Sequence, residues 1–236
     1  MKRHGVRCLL MGGQACVFYG AAEFSRDVDF AILAEPDNLK RLQSALDELK
    51  AEVIAIPAFD ESYLNRGHAV HFRCRAPGIE GLRIDVMTVM RGVDPFPNLW
   101  ERRTTIAIEE TEVDLLSLPD LVKAKKTQRS KDWPMLQRLI EAHWFEHRHS
   151  PTPERIEFWL KECRTPDILM ELAKLFPAET RIIQTHRPLL SHALQNDLAA
   201  IEGGLEQERH AEVIADRAYW APLRDQLNRI RHQSHQ

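Results

Sequence analysis

Residues 24–33 read Phe24-Ser25-Arg26-Asp27-Val28-Asp29-Phe30-Ala31-Ile32-Leu33, and this stretch decides the fold. Side chains on a strand alternate with period two, so Asp27 and Asp29 share one face while Val28 and Phe30 turn to the other. The wholly apolar end of the run is the mark of a central strand. Upstream, 6–11 is a compact apolar run stopped by Gly12-Gly13, which predicts a buried strand entering a tight turn. A short helix over 14–19, ending at Gly20, links the two. Downstream, Arg83-Ile84-Asp85-Val86 puts a third, isolated Asp on the polar face of an otherwise buried strand over 82–89.

Three carboxylates brought together raise one another's pKa and resist burial unless a cation joins them. Mg²⁺ suits such a set, because it takes hard oxygen ligands from one or two carboxylates, substrate phosphate and water. Two such ions stabilise both the attacking and the leaving oxygen of a phosphoryl displacement. A Gly-Gly turn offers backbone N–H groups with no Cβ to block a phosphate, and the Ser25 hydroxyl adds a further phosphate contact. Acidic residues two apart also occur at Glu110/Glu112/Asp114 and at Glu206/Glu208, where they read as solvated faces. Asp27 and Asp29 differ from these in the glycine turn before them and the core strand around them.

Gly12-Gly13, Asp27-Val28-Asp29 and Ile84-Asp85-Val86 together resemble the nucleotidyltransferase fold of the DNA polymerase β superfamily. Within it, the likeness is to small bacterial AbiEii/MenT-like nucleotidyltransferases. The resemblance implies that Asp27, Asp29 and Asp85 are the catalytic and metal-binding carboxylates, with Asp85 helping to deprotonate the acceptor hydroxyl. It implies that Gly12, Gly13 and Ser25 hold the nucleoside triphosphate. A second element, Asp120-Leu121-Val122-Lys123-Ala124-Lys125 followed by Arg129-Ser130-Lys131-Asp132, is similar to the phosphate-binding motif of the same group. Lys125 then becomes the phosphate lysine and Lys126 the reserve choice. Arg129 and Lys131 join the nucleotide-binding set, and Asp132 holds a lysine or arginine in position. Many relatives carry an Arg near the position of Glu23 or Phe24, whereas Arg26 is the nearest here.

The apolar stripe Leu118, Leu121/Val122 continues one turn on into Lys125/Lys126 and Arg129. Cations on a core-facing side need an anion, for which a triphosphate is the obvious ligand. The histidines His143, His147 and His149 lack the His-Glu-x-x-His arrangement and, on an amphipathic helix packed through Trp144 and Phe145, read as a partly exposed helix end. His68 and His71 fall on opposite faces of a strand and do not chelate together, and one of them is a candidate to line the cleft. Trp133, Trp144 and Trp159 read as packing.

The 236 residues suffice for one large domain or two small ones, and the formal charge of -3 argues against a surface that coats nucleic acid or membrane. No apolar run is long enough to cross a bilayer, and the start lacks the apolar core of a signal peptide. Cys8, Cys16, Cys74 and Cys163 form no Cys-x-x-Cys pair and read as reduced, buried small hydrophobes in a cytoplasmic protein.

Further elements are a helix from Pro36 and a strand over 53–56. A polar loop is expected over 59–67, strands over 68–75 and 82–89 around the Pro77-Gly78 turn, and a hairpin over 104–116. Helices follow from Leu118, then at 154–162, 167–176, 188–201 and 205–215, with a last one near a frayed tail from Arg229. The Ser150-Pro151-Thr152-Pro153 run sets the expected boundary between a nucleotidyltransferase domain, 1–149 with its sheet core in 1–117, and a helical region, 151–236.

The expected protein is thus an α/β (α+β) nucleotidyltransferase with a mixed sheet, flanking helices and a helical C-terminal region. It moves an NMP group from an NTP to an acceptor hydroxyl of RNA, protein or a small molecule. The cofactor is Mg²⁺, as two ions, and the resemblance implies a toxin–antitoxin setting as one context. The alternative is an inactive nucleotidyltransferase-fold module that binds a partner or acts like an antitoxin. Base preference, acceptor and oligomeric state are not legible.

Overall fold

Short apolar runs broken by glycine and proline pair here into one sheet rather than into helices. A computed structural model describes residues 1–233. The sheet has seven strands: β1 (Cys8–Met11), β2 (Asp27–Ile32), β3 (Glu52–Val53), β4 (Val70–Arg73), β5 (Arg83–Met87), β6 (Thr104–Ile108) and β7 (Thr111–Leu115). Their spatial order is β3-β4-β5-β2-β1-β7-β6. β2 runs antiparallel to β1 and parallel to β5, while β4 runs antiparallel to β5, so the sheet is mixed.

The register sorts the faces. Val28 pairs with Ile84 and Phe30 with Val86, and on β4 Phe72 faces Ile84 and Val70 faces Val86. Of these, Phe30, Val70, Phe72, Ile84 and Val86 form one apolar layer with Leu42, Ala45 and Leu46 of α2 (Pro36–Glu48). Pro36 suits the first turn of α2 because its missing N–H is not needed there. The opposite face carries Asp27, Asp29, Arg83, Asp85 and His71, as the period-two reading requires for the three acids.

Two compact units divide the chain. The first is Met1–Ala124 together with the segment from Ala218 onward, and the second is Lys125–Arg217. The first holds the whole sheet with α1 (Gly12–Phe18), α2, α3 (Glu61–Asn65), α4 (Phe96–Glu101) and α5 (Leu118–Ala124). The second holds α6 (Asp132–His147), α7 (Pro153–Glu162), α8 (Pro166–Leu175), α9 (Pro177–Ile183), α10 (Leu190–Leu194) and the first part of α11 (Leu198–Gln233). The division therefore falls at residue 124, whereas a break was expected at 150. The Ser-Pro-Thr-Pro run marks only a loop between helices: Thr152 Oγ1 accepts from Arg155 N at 3.3 Å and caps α7.

Other expectations shift for local reasons. The stretch expected as a loop over 59–67 contains α3, capped by Asp60, whose Oδ1 accepts from Ser62 N at 2.8 Å. α4 and α9 were not expected. The helix expected over 188–201 is broken between α10 and α11, where Asn196 adopts φ 55°. The two helices expected after it are one, α11, which runs through Gly203-Gly204 and Pro222. The tail expected to fray from Arg229 is helical to Gln233, and its last three residues lie outside the described residues. All four cysteines are buried. Among the described residues no helix is long and apolar enough to cross a membrane.

Candidate active site

β1 passes into α1 without a loop, and the backbone permits this because residue 12 is glycine. Gly12 sits at φ 67°, a left-handed conformation that a side chain disfavours. A Cβ there would also strike the Asp29 side chain, standing 2.8 Å from Asp29 Cβ and closer still to its carboxylate. At Gly13 a Cβ would meet Ser25, 2.9 Å from Ser25 Cβ. The two glycines thus make room for the protein's own Asp29 and Ser25. Ser25 is turned onto its loop: its Oγ donates to Asp27 O at 3.2 Å, and Gln14 Nε2 donates to Ser25 O at 2.9 Å. Arg26 is exposed at the head of β2.

Two rows of side chains cross the face beyond this turn. Met11, Asp29, Asp85 and His71 form one row over β1, β2, β5 and β4. In the next row Asp27 stands beside Arg83, which in turn faces Arg73. Asp85 is already engaged within this arrangement. Its Oδ1 accepts from Arg83 Nε at 2.8 Å and lies 2.9 Å from His71 Nδ1. His71 Nδ1 is also 3.0 Å from an Arg83 terminal nitrogen; it donates to the carboxylate or accepts from the guanidinium, not both.

Burial pushes the Asp85 carboxyl up, but the hydrogen bonds from His71 and Arg83, with their charges, outweigh it and hold the carboxyl below the usual range. Arg83 moves the opposite way, raised first by its hydrogen bond to Asp85 and then, against burial, by the charges of Asp85, Asp27 and Asp29. Arg83 was not singled out in the sequence as a member of this site; of His68 and His71, one was expected to line the cleft, and it is His71 that stands on this face. The parity that placed Asp85 also places Arg83, two residues earlier, on the same face.

The residues fit Mg²⁺ in part. Asp27 and Asp29 offer hard oxygens from one strand face, the one-or-two-carboxylate set that the ion takes with phosphate and water. The expected three-carboxylate cluster is not assembled. Among the described residues no three His, Cys, Asp or Glu side chains are grouped to hold a metal ion, and Asp85 is committed to Arg83 and His71.

The second motif crosses the division at residue 124, and its part from Lys125 to Asp132 lies in the second unit, where it forms its own buried network. Lys125 is 6% exposed, and its Nζ donates to Asp132 Oδ1 at 3.3 Å. Asp132 also accepts from Thr127 Oγ1 at 2.6 Å and Arg129 Nε at 2.8 Å. Burial raises the Asp132 carboxyl, but the Lys125 charge, the Thr127 bond and Arg129 more than reverse this. Lys126 Nζ pairs with Glu162 at 2.6 Å, and Lys131 is exposed just before α6. Internal carboxylates therefore supply the counter-charge that the sequence reading assigned to a triphosphate.

Residues weighed as rivals pack instead. Trp144 and Trp159 are fully buried and meet edge to face at 4.8 Å. His143 Nδ1 accepts from Trp159 Nε1 at 2.8 Å. His68 is buried, with its Nε2 2.9 Å from Gln226 Oε1.

The chain matches no protein-family model and no curated protein. Among solved structures it is similar to the crystal structure of an antigenic nucleotidyltransferase-like protein from Paracoccidioides brasiliensis. That likeness has 18% identity and a TM-score of 0.38, over 82% of this chain and 86% of that one.

Proposed function

We propose that this chain is a nucleotidyltransferase that moves an NMP group from an NTP to an acceptor hydroxyl. The observation that carries the reading is the shared sheet face of Asp27, Asp29 and Asp85, where β1 turns into α1 at a glycine that admits the Asp29 side chain. In the reaction the acceptor oxygen bonds to the α-phosphorus and gives up its hydroxyl proton to solvent water, the α–β bridging bond breaks, and pyrophosphate leaves. Mg²⁺ held by Asp27 and Asp29 would supply charge neutralisation, the main source of rate in phosphoryl chemistry. Gly12, Gly13, Ser25 and Arg26 are the proposed nucleotide contacts beside it. Lys125, Lys126, Arg129 and Lys131 are proposed nucleotide-binding residues of the second unit, ordered by Asp132 and Glu162. Asp85, held ionised by its neighbours, is a weak base, and its stronger contribution is to fix Arg83.

The acceptor class stays open between RNA, protein and a small molecule, with a toxin–antitoxin setting as one context. The test is incubation of the protein and a cell extract with Mg²⁺ and each of the four NTPs, followed by mass spectrometry for a nucleotide adduct. The wild type yields an adduct with at least one NTP. Asp27→Asn and Asp29→Asn each lower the yield by about 10²-fold or more, the loss typical of removing one strong transition-state electrostatic contact. No adduct with any NTP turns the reading toward a binding module that keeps the fold without the reaction.

A further inference from the structure

Asp85 is where the expected three-carboxylate site and the geometry disagree. Its carboxylate is held by a guanidinium and an imidazole, although Asp29 stands next to it in register. Register explains why. Arg83 stands directly beside Asp27 and two residues from Asp85 on one strand, and His71 lies across from Asp85 on the next. Arg83 feels all three carboxylates, and its side chain is 38% exposed, so it can leave Asp85 without unpacking the core. A guanidinium keeps its charge at any physiological pH, so positive charge at Asp85 is permanent.

We propose that Arg83 is a built-in counter-ion that competes with a divalent cation for Asp85, leaving the cation to Asp27 and Asp29. Asp85 is then the positioning residue for Arg83. The inference rests on the nucleotidyl-transfer reading only for the kind of cation, a hard Mg²⁺-like ion. Two carboxylates beside a fixed positive charge bind such an ion weakly. The ion is therefore retained mainly when a polyanionic substrate brings its own oxygens.

The test is titration of the full-length protein with Mn²⁺ alone, reading free Mn²⁺ by electron paramagnetic resonance. Arg83→Met removes the permanent competing charge and leaves Asp85 with His71 alone, and it tightens Mn²⁺ binding about tenfold. Asp85→Asn on its own shifts the affinity less than about twofold, and in the Arg83→Met background it cancels the gain, a coupling within the range for residues in contact. Asp27→Asn abolishes binding in every background. If Arg83→Met does not fold, as judged by circular dichroism, Arg83→Lys serves. It keeps the charge but loses the Nε contact, and it tightens binding by a smaller factor.

Unchanged or weaker Mn²⁺ binding in the folded Arg83 variant overturns the proposal. So does a loss in Asp85→Asn as large as that in Asp27→Asn. Mn²⁺ binding by the wild type that ignores Asp27→Asn overturns both this inference and the cation role of the pair. The expected Mn²⁺ pattern without any nucleotide adduct leaves this inference standing and removes only the transfer reaction.

Discussion

Gly12 shows how much one residue can decide. Its left-handed backbone lets β1 turn straight into α1, and its missing Cβ admits Asp29. Gly12→Ala therefore costs at least about 1–2 kcal/mol from backbone handedness alone, with a further cost for displacing Asp29. Gly78→Ala is the control, because Gly78 sits at φ 83° with nothing within 4 Å of a Cβ and should show only the first part. Urea unfolding of both variants measures the difference, and equal losses would mean that the Asp29 contact is unimportant. At this scale the sequence was legible where strand parity rules: Asp27, Asp29 and Asp85 share a face because period two demands it. It was illegible in strand register. The Pro77-Gly78 turn put β4 beside β5 but left their register open, so His71 opposite Asp85 emerges only from the structure, whereas Arg83 shares the face of Asp85 by parity.

Among the elements, α6 and α7 illustrate a histidine that tempts a metal reading and serves packing. Burial, followed by the charges of His147 and Arg155, lowers the His143 pKa from 6.5 to about 4. His143 Nδ1 accepts from Trp159, which requires the neutral ring. In the unfolded chain the same group takes a proton near its ordinary 6.5, so between about 6.5 and 4 the unfolded state binds more protons. This histidine's contribution to stability is thus whole above that window and declines as the pH falls through it. Thermal melts from pH 7 to 4 should show a steeper loss for the wild type than for His143→Gln, which can still accept from Trp159; parallel curves would contradict the assignment. Helix type was legible from spacing in α2, α7 and α8. Helix limits were not: Asp60 hides a cap in a polar stretch, and Gly203-Gly204 and Pro222 read as breaks inside a helix that continues through them.

For the whole molecule, the individual strands followed from local apolar and turn signals and the mixed sheet with flanking helices from the resemblance, whereas the partition of the chain followed from neither. Helices lie on both sides of residue 150, and composition alone does not tell an interhelix loop from a domain boundary. Cutting there separates Trp144 from Trp159, both fully buried, and divides the second unit. A fragment of residues 1–149 should therefore lose the near-ultraviolet circular dichroism of packed tryptophan and aggregate; a fragment with a native-like spectrum and a cooperative melt would refute this division.

The central claim is that Asp27 and Asp29 form the cation-holding heart of a nucleotide site. Crystals grown with Mn²⁺ and a non-hydrolysable NTP test it most directly, through the manganese anomalous signal. The account predicts an anomalous peak bridging the Asp27 and Asp29 carboxylates and the triphosphate, with Asp85 on Arg83. A peak elsewhere, or nucleotide bound away from these two carboxylates, would contradict it.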